Sequence, residues 1–155
     1  MNIIKYNTFL NEDRIPILVK ESVKRYPVKK LDNPQRITDM MNCMYNAKNL
    51  SEEFLWCLSL DTKRKLKGIF EISHGLINAS LVSPREVFMK LCLSGATSFV
   101  IVHNHPSGNS FPSKEDIRTT DGLAKCGDLM NIKLIDHIII GNEYYSLAEN
   151  GFIKS

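Results

Sequence analysis

The stretch Val100–Asp116, VIVHNHPSGNSFPSKED, decides how the rest of the chain is read. Its apolar start is a strand, and strand side chains alternate faces, so His103 and His105 point one way and Asn104 the other. Two residues of rise put the histidines ~6–7 Å apart along the backbone, which lets both rings tilt toward one ion. Pro106, Ser107, Gly108, Asn109 and Pro112 then turn the chain, and Ser113 opens a helix with Asp116 in its first turn. Two imidazoles and one carboxylate leave a fourth tetrahedral position for water, as in catalytic rather than structural zinc sites. Each piece has a plainer explanation by itself. Ser113 to Asp116 reads as a capping box, an acid in a first turn suits the helix dipole, and histidines can end a strand as polar terminators. Taken jointly, the three pieces point to a metal.

The flanking sequence has a mixed α/β order. Asn33-Pro34 is a helix start, with Ile37, Met40, Met41, Met44 and Ala47 on one face. EEFLWCLSLD (Glu52–Asp61) reads as a strand buried on both faces, and KLKGIFEISHG and LINASLV as further strands. Ser83-Pro84 repeats the capping pair before a helix with Val87, Phe88, Leu91 and Cys92 inward. TSFVIV is a buried strand leading into the quoted loop, and the helix from Ser113 extends to about Met130. IKLIDHIIIG and EYYSLAE close the chain as two strands around a Gly141-Asn142 turn. Residues 1–32 read as two short strand-like pieces with a polar, basic connection.

Composition narrows the classes. A chain of 155 residues, 43% apolar and 24% charged, suits one soluble domain. No apolar run approaches the ~20 residues that span a bilayer, and MNIIKYNTFLNEDRIPILVKE turns polar too early for a secretory signal. The expected location is cytoplasmic, with no membrane partner. Cys43, Cys57, Cys92 and Cys126 form no CxxC pair. Three of them sit among apolar residues (Met44, Trp56, Leu91), so reduced structural thiols are expected. Residues 1–36 hold eight Lys/Arg against four Asp/Glu, while 37–155 hold twelve against thirteen. The basic excess centres on VKRYPVKK (Val23–Lys30), which reads first as a solvated linker and second as a phosphate-binding patch.

The spacing of His103, His105, Ser113 and Asp116 (H-x-H, seven residues, S, two residues, D) resembles the motif of the JAMM, or MPN-domain, metalloprotease-like superfamily. HNHPSG, PSKED, SPREV (Ser83–Val87), DHIIIG (Asp136–Gly141) and YYSLAENG (Tyr144–Gly151) are, in order, similar to its bacterial RadC-like branch. The resemblance runs from about Asn33 to Phe152. It implies a JAMM/MPN-like (cytidine-deaminase-like) mixed β-sheet flanked by helices over residues 33–155, with 1–32 as an N-terminal basic extension. It also implies one Zn2+ per chain, held by His103, His105 and Asp116, with an upstream glutamate as general base. Residue chemistry leaves Glu52, Glu53, Glu71 and Glu86 open. The family's acid directly precedes an apolar strand, as Glu53 does here. The implied reaction is hydrolysis of a peptide or isopeptide bond by zinc-activated water. Glu53 would move the proton and Ser113, if capping does not consume its hydroxyl, would hydrogen-bond the oxyanion.

Two departures bear on function. Residues 1–32 are too few, and lack the glycine-hairpin pattern, for the DNA-associated helix-hairpin-helix region of longer RadC-like proteins. The span from Leu60 to Pro84 leaves little room for the insertions that hold ubiquitin in eukaryotic relatives. The contiguous letters HNH are not the nuclease motif of that name, which spreads over a ββα hairpin. A zinc nucleoside deaminase would need His-x-Glu and paired cysteines, and has neither here. The runner-up is a nucleic-acid-associated protein using the basic N-terminal segment; a silent scaffold is disfavoured by the intact ligand set. Asp136 is a candidate second partner for a ligating imidazole, His137 reads as a satisfied polar residue at a strand edge, and His74 has no role.

Overall fold

The computed structural model describes residues 1–27, 30–75 and 82–153. Seven strands form one sheet: β1 (Asn2–Leu10), β2 (Pro16–Arg25), β3 (Phe54–Leu60), β4 (Leu66–His74), β5 (Ser98–Asn104), β6 (Lys133–Ile140) and β7 (Tyr144–Ser146). Their spatial order is β2-β1-β4-β3-β5-β6-β7. The β1–β4 and β5–β6 pairs are parallel and the others antiparallel. Three α-helices accompany it, α1 (Pro34–Tyr45), α2 (Pro84–Leu93) and α3 (Lys114–Met130). No helix among the described residues is long and apolar enough to cross a membrane.

Period-two alternation in the central strands feeds two cores. Trp56, Leu58, Val100, Val102, Ile138 and Ile140 meet Ile37, Met40 and Met41 of α1 on one face. Leu55, Cys57, Phe70, Phe99 and Ile101 meet Val87 and Leu91 of α2 and Leu123 of α3 on the other. Strands buried on both faces carry continuous apolar runs, which is why β3 and β5 read so plainly. The expected cap of α1 is present: the Asn33 side chain accepts from the Arg36 N–H at 2.9 Å, with Pro34 in the first turn.

Several expectations need correction. The two short N-terminal pieces are a hairpin of nine- and ten-residue strands, and β1 continues the main sheet alongside β4. Val23–Arg25 of the expected linker end β2, and Tyr26 packs into the core; Val28 and Lys29 lie outside the described residues. The strand read as LINASLV falls on residues 76–81, also outside them, and Val82 joins the core without strand pairing. Ser83 takes the N-cap position without a side-chain bond, and Pro84 occupies the first turn of α2. Cys92 and Cys43 are exposed and only Cys57 is fully buried, since apolar neighbours in sequence fall on other helix faces.

The inward stripe of α3 is Asp116, Thr120, Leu123 and Gly127. At its end the helix comes so near the strand that follows it that a Cβ on Gly127 would stand 2.5 Å from the Ile132 carbonyl oxygen. A backbone oxygen cannot step aside as a side chain does. Gly122, on the same helix, has nothing within 4 Å of such a Cβ. Gly127→Ala is expected to destabilise the protein by about 1–3 kcal/mol through overpacking. Gly122→Ala is expected to stabilise it by about 0.5–1 kcal/mol through helix propensity. Urea denaturation of the two variants beside wild type checks both signs.

Candidate metal centre

β5 is paired on both sides, so its backbone positions His103 rigidly: His103 stands opposite Leu55 of β3 and Ile139 of β6. It shares the α3-facing side with Phe99 and Ile101 and is 1% exposed. His105 follows just past the strand end, its N–H bonded to the Ile140 carbonyl at 2.8 Å. Its Nδ1 lies 2.7 Å from the Asn109 carbonyl oxygen, in the loop. Asn104, on the opposite face as expected, is fully engaged: Oδ1 accepts from the Phe54 N–H at 2.8 Å and Nδ2 donates to the Glu52 carbonyl at 2.9 Å. One buried amide thus clamps the chain on either side of Glu53. The Gly75 N–H bonds the Glu53 carbonyl at 2.8 Å from the neighbouring strand end.

Ser113 and Asp116 make a complete capping box. The Ser113 Oγ accepts from the Asp116 N–H at 3.1 Å, and the Ser113 N–H donates to Asp116 Oδ2 at 2.7 Å. The Ser113 hydroxyl proton also goes to Oδ2, at 2.7 Å. Capping and metal ligation are therefore not rival explanations, because the cap orients the carboxylate. It leaves Asp116 Oδ1 3.3 Å from His103 Nε2 and Oδ2 3.5 Å from His105 Nε2, with the two Nε2 atoms 2.9 Å apart.

These distances fit a metal. Ligands about 2.0–2.1 Å from a tetrahedral ion stand about 3.3–3.4 Å from one another. The carboxylate meets each imidazole near that edge through a different oxygen, Oδ1 to His103 and Oδ2 to His105, so one oxygen would turn inward, and the tighter imidazole pair would spread by a few tenths of an ångström. The donor chemistry fits as well. Asn109 can only accept, so His105 carries its proton on Nδ1 and, when neutral, turns a bare Nε2 lone pair to the cluster. His103, His105 and Asp116 are a group whose ligand atoms lie within 4.8 Å of one another and could hold a metal ion.

The electrostatics follow from burial and charge. Burial, then the neighbouring His137, holds His103 well below the ordinary imidazole range, so it is neutral. For His105, burial opposes the charged form, but Asp116, the Asn109 carbonyl and Glu53 together raise its pKa above 6.5. Burial would raise Asp116, yet His105 and His103, followed by the Ser113 donors, hold it well below the usual carboxylate range. Because His103 is itself neutral, the hydrogen bonds from His105 and Ser113 sustain that direction.

A cleft of about 350 Å³ opens over the cluster, lined by Glu53, His105, Ser107, Ser113, Glu115 and Asp116. It shares Glu53 and Ser107 with a second cleft of about 430 Å³ reaching Ser51, Glu52, Gly75 and Pro106. The two make one groove. A larger cleft, about 700 Å³, lies elsewhere, between α1 and the β6–β7 turn, and holds none of His103, His105 and Asp116. Of the four glutamates left open by sequence, only Glu53 lines the cleft over the cluster. Glu52 lines the adjoining part and is exposed, Glu71 pairs with Lys5 at 3.1 Å, and Glu86 pairs with Arg85 at 2.7 Å on α2. Glu53 lies just before β3 rather than in it.

The loop between the histidines and Ser113 is fastened to the β6–β7 turn. The Asn142 N–H donates to the Gly108 carbonyl at 2.8 Å, Gly108 has φ +82°, and a Cβ on Gly141 would run into that same carbonyl. Asp136 and His137 are placed opposite to expectation. Asp136 faces away, accepting from Ser146 Oγ, Ala148 N and its neighbour's N–H. His137 is 1% exposed and sits against His103, Nε2 to Nδ1, at 2.7 Å. β7 covers β6, so His137 is not at a sheet edge. The signal that could have found it is parity: only one of two adjacent strand residues can face the site.

Residues 31–152 match the model of the RadC-like JAB domain family. A UPF0758 protein of Clostridium botulinum (strain Langeland) is 42% identical over 142 residues, which cover 88% of this chain and 62% of that protein. A UPF0758 protein of Clostridium beijerinckii is 38% identical over 143 residues, with the same shares. The chain therefore spans about 62% of the length of these curated relatives.

A metal entering the cluster must displace the proton that His105 holds when charged. With the His105 pKa raised above 6.5, metal affinity is expected to fall ~10-fold per pH unit below that raised value and to level off above it. The sign is fixed because the protonated state is the one that excludes metal. Chelator-competition titrations with zinc from pH 5.5 to 8.5 check it; an affinity flat across that range would remove His105 as a ligand.

Proposed function

Because the chain belongs to the RadC-like JAB domain family, we propose that it is a zinc-dependent hydrolase cleaving a peptide or isopeptide bond. The observation that carries this reading is the juxtaposition in one cleft of a three-ligand cluster and a separate carboxylate, Glu53. His103, His105 and Asp116 would hold the zinc ion, which would supply Lewis acidity to lower the pKa of a water toward ~7 and to polarise a carbonyl. Glu53 accepts the proton of the attacking water on its carboxylate and delivers it to the leaving amine. Its placement is set from behind: the Asn104 amide holds the backbone of Glu52 and Phe54 on either side, and the Gly75 N–H donates to the Glu53 carbonyl. Ser113 orients Asp116. A direct role at the oxyanion requires its hydroxyl to leave Oδ2.

The open groove on either side of Glu53 and Ser107 suits an extended chain crossing the site. Contact with nucleic acid has less support. Three of the eight basic residues among the first 36 are already engaged: Lys5 pairs with Glu21 and Glu71, Lys24 donates to the Met44 carbonyl, and Arg36 pairs with Asp32.

The test compares purified wild type, His105→Ala and Glu53→Gln for bound zinc and for cleavage of an unbiased peptide library read by mass spectrometry. The expected result is about one zinc per chain in wild type and Glu53→Gln, none in His105→Ala, and cleavage lowered at least ~10²-fold in Glu53→Gln. A wild type that takes up no zinc when zinc is offered, or a zinc-loaded wild type that leaves every peptide intact, overturns the reading.

A further inference from the structure

The ligand cluster is backed by a second line of polar groups. Thr120 Oγ1 lies 2.6 Å from the Asp116 carbonyl oxygen and 2.6 Å from His137 Nδ1. His137 Nε2 lies 2.7 Å from His103 Nδ1. Thr120, His137 and His103 are all buried, so each contact must be a satisfied hydrogen bond.

The order of protons along this line has one solution. A hydroxyl has one hydrogen and a carbonyl has none, so the Thr120 hydrogen lies toward Asp116; otherwise two oxygen lone pairs would face at 2.6 Å. Thr120 Oγ1 therefore accepts from His137, which carries its proton on Nδ1. A doubly protonated His137 would be a cation buried to 1% exposure with only a hydroxyl and an imidazole as partners, at a prohibitive desolvation cost. Neutral His137 thus offers a lone pair at Nε2, His103 donates to it from Nδ1, and His103 Nε2 is left bare. That bare nitrogen is the one 3.3 Å from Asp116 Oδ1 and 2.9 Å from His105 Nε2.

We propose that Thr120 and His137 are positioning residues of the metal centre, holding His103 in the Nδ1–H tautomer that presents Nε2 to the ion. The line starts on the backbone of one ligand, Asp116, and ends on the ring of another, His103, so it ties the two together. This rests on the metal-centre reading above, and extends it to two residues that touch neither metal nor substrate. An imidazole ligand ordinarily gives its remote N–H to a carboxylate, a carbonyl or water, and loss of that partner typically costs ~10–100-fold in metal affinity. Here the partner is a second imidazole, which needs its own proton ordered by the threonine.

The test uses the full chain, labelled with ¹⁵N-histidine, as wild type, Thr120→Val and Thr120→Ser. Valine keeps the shape and removes the hydroxyl; serine restores it. Long-range ¹H–¹⁵N correlation on the metal-free protein distinguishes the two tautomers of each ring. Wild type is expected to show Nδ1–H at both His103 and His137. In Thr120→Val, His137 loses its acceptor, its proton moves to Nε2, and His103 is driven to the Nε2–H form. Zinc affinity by chelator competition falls ~10–100-fold, and serine restores both readouts. Thr120→Val with His103 still Nδ1–H and an unchanged backbone amide spectrum overturns the proposal, whatever its affinity. A wild type that binds no zinc overturns the function proposed above, while the metal-free spectrum upholds or overturns the relay by itself.

Discussion

Everything at the site depends on α3 lying against β5 and β6 in one axial position. Two contacts fix that position. Toward its N-terminus Thr120 Oγ1 meets His137 Nδ1 of β6 at 2.6 Å, and at the other end Gly127 lets the helix meet the Ile132 backbone. The four inward residues are spaced for a single helix face, and each meets something different. Asp116 reaches the histidines, Thr120 reaches His137, Leu123 joins the apolar core, and Gly127 makes room for a carbonyl. A helix displaced by one residue would turn this stripe by about 100° and lose all four contacts together.

The helix meets a strand pair whose alternation is equally strict. β5 and β6 run parallel, so a ligand on one and its partner on the other emerge at the same sheet end and on the same face. That gathers His103, His105 and His137 within a few ångströms, where the Nε2 atoms of His103 and His105 and the Asp116 carboxylate face one another. Such a cluster is unfavourable without a cation. Its convergence is held by the surrounding frame of paired strands and a capped helix, and a bound cation would relieve it.

How much of this was legible in the sequence depends on how local each feature is. The convergence of His103, His105 and Asp116 was readable because alternation, turn residues and capping act within Val100–Asp116. The first helix was readable from Asn33-Pro34, and β3 and β5 from apolar runs long enough to require two cores. His137 was not, because its meaning lies in β5 and β6 being neighbours, and no residue of either strand states that pairing. The N-terminal hairpin was obscured for a different reason. Ile17, Val19 and Val23 of β2 are exposed, as is Phe9 of β1, so the apolar pattern does not mark an inner face there. Glu53 stands between these cases: its position before the strand was readable, but its arrival at the cleft depends on Asn104, fifty residues on.

The meeting of Gly108 and Gly141 narrows the paths by which this molecule can change. At most tight spots in a protein an added methyl group can be absorbed by trimming the side chain it strikes. Here the obstruction at Gly141 is the Gly108 carbonyl, which every amino acid possesses. No second substitution can remove it. Relief would need the whole loop that carries His105 to move, and with it one of the three ligands. Gly141 is therefore locked by backbone alone, whereas Gly108 is held by its positive φ and by the Asn142 side chain that a Cβ there would meet at 2.8 Å.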